Sequence, residues 1–395
     1  MEIFKQTNFD FLGKKWPFII VSLCLTALGI GSLWVKGGPK YGIDFSGGAL
    51  MDVNFTKRPP AEEIRAALHK RIPGEIEVQE VANSQDVLIS TGLQTNGMQS
   101  VRDEMVASLN AAFNKGLAGK LDVNIASQSD LAAGLRQAAP SLSDDQVQAA
   151  LKGITDYRNA HSGLVANLDD LSGRPGITPA VLSALKQNFV AGHFAVRSIE
   201  TVGPKIGADL RQQAINVVLL ALAAMLIYIA LRFEWIYGVA AVIAVFHDTI
   251  ITIGLFSLFG KAIDLTVIAA LLTLVGYSMN DTIVVFDRIR ENLHLQRRGT
   301  FSEIVNASIN QTLSRTVLTS GLTLLTALSL FLFGGQVLNG FSFALVVGII
   351  VGTYSSIFIA SPILIFWQDV SEKRKRRARN VPVESRPRNV AKTVK

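Results

Sequence analysis

The feature that most limits what this chain can fold into is a series of apolar windows. Each has about 18 or more residues and almost no charge, the length a helix needs to cross a bilayer. Six stand out: 17–35 ("PFIIVSLCLTALGIGSLWV"), 213–231, 236–259, 264–286, 316–333 and 341–367. The composition agrees. With 49% hydrophobic and 17% charged residues, the 395-residue chain is more apolar and less charged than a soluble domain. The first window follows Lys14 and Lys15, as a secretory signal would. No small-residue cleavage site follows "SLWVKGG", so an uncleaved anchor is expected.

Orientation follows the Lys/Arg bias of the short loops. The segment 287–315 carries Arg288, Arg290, Arg297, Arg298 and Arg315, and the "RFEW" turn has Arg232. The N-terminus and the tail after the last window ("KRKRRAR") are also basic. On the other side, 258–265 has only Lys261 and "GGQVLNG" has no charge. Both termini are therefore expected in the cytoplasm. The divisions read as a cytoplasmic N-terminus (1–16), a first span (17–36), an external, periplasmic domain (37–210), spans two to six (211–367) and a basic tail (368–395). Much of the net charge of +7 lies in that tail. Beside a span it reads as membrane-surface anchoring rather than nucleic-acid binding. Cys24 is the one cysteine, so no disulfide can form within the chain.

The external domain has an α+β pattern. "ALMDVNF" alternates, with Met51, Val53 and Phe55 on one face and Asp52 and Asn54 on the other, which predicts a half-buried strand. "PPAEEIRAALHKRI" has Pro and acids at its start and bases later, a helix signature. "IEVQEV" and "DVLIST" alternate again, a helix is expected near 97–115, and "FAVRSIETV" can be a last strand. The order β-α-β-β-α-β predicts a ferredoxin-like sandwich. Between about 118 and 193, "SDLAAGLRQAAPSLSDDQVQAALKGI" and "TPAVLSALKQNF" are helical, with "SLSDDQ" as an N-cap and first turn. This predicts a helical insertion, either gripping a partner or simply elaborating the surface. The fold class is thus a membrane protein: a six-helix bundle with a ferredoxin-like external domain that carries a helical insertion.

Ionisable residues within a span mark function, because their charge has lost water. Asp281 lies in the fourth window, His247 and Asp248 in the third, and Arg315 at the start of the fifth. Asp281 is seven residues before Arg288, about 10 Å along a helix and well inside the apolar run. Tyr277, Asn280, Asp281, Val284 and Arg288 share a face that Thr273 and Gly276 extend, and that face is expected to point into the bundle. Gly276 and Ser278 are small enough for close helix approach. Burial disfavours a carboxylate's charge and a nearby guanidinium favours it. A carboxylate held between those effects, with Arg315 as counter-charge, can gain and lose a proton under a gradient. One charge crossing 100 mV is worth about 2.3 kcal/mol, so several protons could drive a domain movement. Asp281, Arg315, Asn280, Asp248 and His247 are the candidate proton relay. Asp287 and Arg288 read as cap and anchor. Gly47 and Gly48 permit a sharp bend, and Gly203, Pro204 and Gly207 form a hinge or a turn before the second span.

At these residues the chain resembles the SecF family of bacterial protein-export subunits, within the wider proton-driven RND class. "YGIDFSGGALMDV", containing Asp44, Gly47 and Gly48, resembles the signature that follows the family's first span. "TVGPKIGADL", containing Gly203, Pro204 and Gly207, resembles the one before its second. "RFEW", "HDTIITIG", "GYSMNDTIVVFDRIRENL" and "QTLSRTVLTSG" resemble its membrane stretches in order. The resemblance covers about 1–115 and 194–367. It implies a SecD partner, the SecYEG channel with the SecA motor, preprotein clients and a proton-driven step of export at the inner membrane. It also implies that Asp281 and Arg315 are the essential membrane pair. The insertion at 118–193 and the basic tail depart from the family pattern.

Other classes remain to be weighed. Asp248 and Asp281 on adjacent spans could form an intramembrane aspartyl protease dyad, though neither has the Gly-x-Gly-Asp context. An RND-type small-molecule exporter would need about twice this chain. A static translocon scaffold would not depend on Asp281. "GGPKYG" is not a P-loop. No His/Cys cluster points to a metal, and no cofactor or nucleic acid is implied.

Overall fold

The computed structural model describes residues 7–81, 84–92, 98–115, 117, 119–232, 235–295, 299–335 and 337–379. Phe233, Glu234, Arg297, Arg298 and the basic tail beyond Arg379 lie outside the described residues. The chain forms two units, Tyr41–Ile215 and Met1–Lys40 with Asn216–Lys395. The first helix, α1 (Lys15–Val35), belongs to the latter.

In the unit Tyr41–Ile215 a single turn, α2 (Ile43–Ser46), leads into β1 (Gly48–Phe55), α3 (Ala61–Leu68), β2 (Ile76–Glu80), β3 (Asp86–Thr91) and α4 (Met98–Phe113). The insertion follows: β4 (Leu121–Asp122), α5 (Gln128–Ala138), α6 (Asp144–Ala160), a 3-10 turn, α7 (Pro179–Asn188) and β5 (Phe189–Val190). Then β6 (Phe194–Val202) completes a sheet of order β2-β3-β1-β6, antiparallel throughout. This is the ferredoxin-like sandwich. Met51, Val53 and Phe55 turn inward and are at most 1% exposed, packed with Ile64, Val87 and Leu109. A bulge opposite Asp52 and Val53 interrupts the β1–β6 ladder at Arg197.

The insertion has a core of its own, built on Leu131, Leu135, Val147, Ile154, Val181 and Phe189. Its helices start where their chemistry dictates. Ser127 with Asp130, and Ser143 with Gln146, form capping boxes, and Thr178 caps α7 with Pro179 just inside. The two-residue parallel ladder β4–β5 was not readable from the sequence, since so short a strand has no periodicity. Asn124, fully buried, fastens the base of the insertion. Its amide donates to Val165 O and Gly192 O at 3.1 and 3.0 Å and accepts from Val165 N at 2.8 Å.

The other unit contains α8 (Pro204–Arg232), within which the division falls, then α9 (Trp235–Leu258), α10 (Leu265–Leu295) and α11 (Phe301–Phe333). α12 (Asn339–Ser355) continues through a π-turn at Ser356–Ala360 into α13 (Ser361–Arg379). Six helices are long and apolar enough to cross a membrane. α9, α10 and the α12–α13 helix are the more buried, while α1, α8 and α11 present residues such as Leu220 and Leu322 outward. α10 and α11 outrun the apolar windows read from sequence. Their polar ends are stabilised instead by a capping box at Thr300 and Glu303 and by Asn292, which donates to Ser308 Oγ and Gln311 Oε1 at 2.8 and 2.9 Å.

The π-turn has a local cause. Pro362 has no N–H to give to Phe358, and Ser361 Oγ instead donates to Ser356 O at 2.9 Å. At the N-terminus, Asn306 and Asn310 on α11 bind the backbone of Phe9 and Phe11 at 2.8–3.0 Å. α1 lies so close to α9 that a Cβ on Gly254 would sit 2.6 Å from Gly29 Cα. Ser32 and Ser257 hydroxyls bridge the same two helices at 2.8 Å.

Two outcomes are expected. Gly254→Ala forces α1 and α9 apart, at about 1–3 kcal/mol for such overpacking. The midpoint of thermal unfolding in detergent should fall, and an unchanged midpoint would refute the close contact. Asp52 faces the uncovered side of the sheet, 3.6 Å from Arg197. Partial burial raises its carboxyl above the ordinary range, Arg197 pulls it down, and Asp86 adds to the rise. The folded state thus holds the proton to higher pH than the unfolded state. Stability should fall as pH climbs from about 3.9 through the raised value. Asp52→Asn should flatten part of that slope in denaturant titrations at stepped pH.

Candidate functional site

Two groups of buried polar residues in the helical unit are built around a carboxylate. The first centres on Asp248 in α9, which is fully buried. Ser278 of α10 donates to its Oδ2 at 2.6 Å, and His247 Nδ1 lies 2.9 Å from its Oδ1. The other ring nitrogen of His247, Nε2, meets Ser22 Oγ of α1. The Tyr354 ring of α12 stands edge-on to the imidazole, with centroids 6.2 Å apart. One His-Asp pair therefore gathers four helices. An ionised Asp248 requires the imidazole proton on Nδ1. The Ser22 hydroxyl can donate or accept, so it suits the ring in either charge state.

The second group lies between α10 and α11. Asp281 is 2% exposed, and among the described residues Ser320 alone hydrogen-bonds it, donating to Oδ2 at 2.8 Å. One turn before Asp281, Tyr277 Oη is buried with no hydrogen-bond partner among the described residues. One turn before Ser320, Thr316 Oγ1 is in the same condition. Buried polar atoms without partners are uncommon; Tyr354 Oη, beside the first group, is another among the described residues.

Several expectations need correction. Thr273, Gly276 and Asn280 do not point into the bundle and are exposed. The buried face of α10 is Leu274, Val275, Ser278, Thr282, Val285 and Phe286, with Asp281 on its flank. The sequence places the polar residues on the inner stripe, whereas apolar residues with Ser278 and Thr282 fill it. The small residues that allow close approach are Gly348 and Gly352 of α12, which seat Leu274 and Ser278. A Cβ on Gly352 would be 3.0 Å from Ser278 Cβ. By contrast, Gly276 has open space beside it.

Arg315 is exposed and makes no contact ion pair with Asp281 among the described residues, although its charge acts on that carboxyl from a longer distance. The helix explains this. Ser320 lies five residues on, about 7.5 Å along the axis and about 140° around it, so the two cannot share a face. Arg288 bonds Glu291 and Gln311 at 2.6 and 2.5 Å, and Asp287 is exposed. Asp248 and Asp281 share no hydrogen bond among the described residues, and each has a different serine donor.

The two glycine signatures meet in the other unit. Gly47 adopts φ 72°, and a Cβ there would be 2.9 Å from Pro204 Cα. A Cβ on Gly207 would be 2.9 Å from Gly47 N. Gly203 O accepts from Gly207 N at 2.9 Å, and Gly48 opens β1 beside Val202. Asp44 lies in the single turn α2, before this junction. The sequence presented these as separate motifs. Only the backbone crossing brings them into one close-packed joint.

The family model for the protein export membrane protein SecD/SecF, C-terminal, matches residues 181–370. With its six apolar helices, the chain is thereby a multi-pass membrane protein of the protein-export class. It is 44% identical to the protein translocase subunit SecF of Koribacter versatilis over 93% of this chain and 94% of that one. To the SecF of Desulfurispirillum indicum it is 38% identical, over 91% of each chain. The chain belongs to the SecF family of protein translocase subunits. The crystal structure of SecDF from Thermus thermophilus superposes with a TM-score of 0.66 and 33% identity over 92% of this chain. This chain spans 39% of that longer one.

Ser278→Ala leaves a fully buried Asp248 oxygen without its donor. About 1–3 kcal/mol of stability should be lost in detergent-denaturation titrations. Thr282→Ala should cost less, since that hydroxyl bonds only the Ser278 carbonyl of its own helix. Equal losses would show that the Asp248 bond carries no special weight.

Proposed function

We propose that this translocase subunit uses the proton gradient to assist preprotein movement outward across the cytoplasmic membrane, with Asp281 as the proton carrier. The carrying observation is the under-bonded state of Asp281: buried between α10 and α11, with a single hydroxyl donor and two orphan hydroxyls a turn away. A carboxyl held that loosely in an apolar setting is not fixed as an anion, so a proton can bind there and leave again when its surroundings change. One locked in several bonds is so fixed. Asp248 is the locked one. With His247 it serves as a second, structural polar centre that holds α1, α9 and α10 together.

The partner is a SecD-type subunit. The relative named SecDF, of which this chain spans 39%, supports that reading, because its name joins both parts in one chain. So does the outer surface. Thr273, Gly276 and Asn280 of α10, and Arg315, Thr319 and Thr323 of α11, are exposed polar or small groups at spans that should otherwise meet lipid. A partner helix there would cover them and bring counter-groups to Arg315 and Asn280. Arg315 then acts across the interface, as an electrostatic gate on the path to Asp281 rather than as its contact ion pair. The SecYEG channel with SecA supplies the pore and the ATP-driven step. The basic loops support a topology with both termini in the cytoplasm, residues 37–210 in the periplasm and the inner membrane as location.

The test is export of a reporter preprotein into inverted vesicles, with and without a proton gradient. Asp281→Asn and Arg315→Ala should reduce gradient-stimulated export to the level seen without a gradient, while the chain still assembles. If both variants export like wild type, the subunit is a scaffold and the coupling role is wrong.

A further inference from the structure

We infer that the free edge of β6 and the groove beside it bind a single extended polypeptide segment by strand addition. β6 runs for nine residues, Phe194–Val202, and pairs on one side with β1. Among the described residues no strand pairs with its other side. Such an edge exposes a row of backbone donors and acceptors, which proteins normally shorten, cover or block with charge and proline. Here Phe194 and Ala195 are buried, with Gly163 of the insertion against Ala195, and the stretch from Val196 to Val202 stays open and carries no proline.

What lies beyond the edge decides the occupant. A cavity of about 500 Å³ runs between β6, α4 and the base of the insertion. Within a largely polar lining it has an apolar strip. Val106, Ile125, Val196 and Ile199 are half-buried side chains that continue the sandwich core out past the edge. The insertion forms the far wall, with the loop from Asn124 to Gln128 and Arg158, whose guanidinium is held by Asn124 O at 3.1 Å. That wall stops the sheet from continuing, so the space suits one strand and not the edge of a second sheet. An added strand would bond β6 through its backbone and place alternate side chains on the apolar strip. This mode reads little sequence, which fits a site that must take many different chains.

The rim adds a preference. Arg102, Arg158 and Arg197 line the cavity, and no acidic residue does. Arg197 is already engaged by Asp86 at 3.1 Å, whereas Arg102 is exposed. The occupant is therefore an extended segment with apolar residues on one face and acidic or neutral polar ones on the other. The identification of that segment as part of an unfolded client rests on the translocase reading above. The strand-addition site itself does not.

The experiment uses the full chain in nanodiscs at one pH, without a gradient. The probe is a fluorescent dodecapeptide of alternating valine and glutamate, followed by anisotropy. Saturable binding is expected. The same peptide N-methylated at alternate residues, on the side that would face β6, should bind about tenfold or more weakly. Arg102→Glu should weaken the acidic peptide by about threefold or more and leave a valine/glutamine version unchanged. Asp281→Asn should bind the peptide like wild type, so failed coupling and failed peptide binding are separable. A photo-crosslinker at Ser198 should capture a stalled preprotein in the assembled translocase, and one at Glu77 on the opposite edge should not. Equal binding of the N-methylated peptide would overturn the proposal. So would capture of the partner subunit alone from Ser198, which would assign the edge to assembly.

Discussion

A carboxylate inside an apolar bundle must find donors among side chains, because neither water nor a spare backbone N–H is at hand. That constraint organises the helical unit. Asp248 meets it with Ser278 from one neighbour and His247 beside it, and Ser22 extends the chain of bonds to a further helix. The result is a polar rivet through α1, α9 and α10. Asp281 meets it with Ser320 and little else. The two acids lie on adjacent helices of similar character, yet one is fully engaged and the other sparsely so. That inequality separates a group that holds the bundle from one free to change state.

Much of this was legible in the sequence, for a physical reason. Long uncharged windows admit one solution in lipid, so the six helices followed directly. Strict alternation in "ALMDVNF" fixed which face of β1 is buried, and Ser143 with Gln146 marked the start of α6. Asp281 and Asp248 stood out because charge is rare in such surroundings. Side-chain direction was the failure. Polar residues at helical spacing look like one stripe, and a sequence does not say whether a stripe faces inward or toward a neighbouring subunit. Thr273, Gly276 and Asn280 face outward, and Ser278, which lies off that stripe, faces in. Ser320 and Ser22 were missed because serine is unremarkable in a span until a carboxylate or imidazole is opposite it. The role of Gly348 and Gly352 was likewise hidden, since only packing shows that Leu274 and Ser278 need their space.

The sheet-bearing unit shows the same separation of local and long-range information. Its strand order follows from the β-α-β-β-α-β pattern. The convergence of Gly47 with Pro204 and Gly207, about 160 positions apart in the chain, does not. There the two connecting strands cross with no side chain between them, so displacement of one must carry the other. The insertion turned out to hold a core of its own. It can therefore act as a firm wall beside β6 rather than a loose decoration.

The π-turn at Ser356–Ala360 has a quieter consequence. A turn with one surplus residue offsets the angular phase of everything after it by about 100° relative to an unbroken α-helix. Leu364 and Ile365 reach the interior, and Trp367 meets Trp235 edge-to-face at 5.2 Å, only because of that offset. The last helix is thus clocked by a single extra amino acid. A chain one residue shorter there would spell nearly the same words and show the lipid a different side.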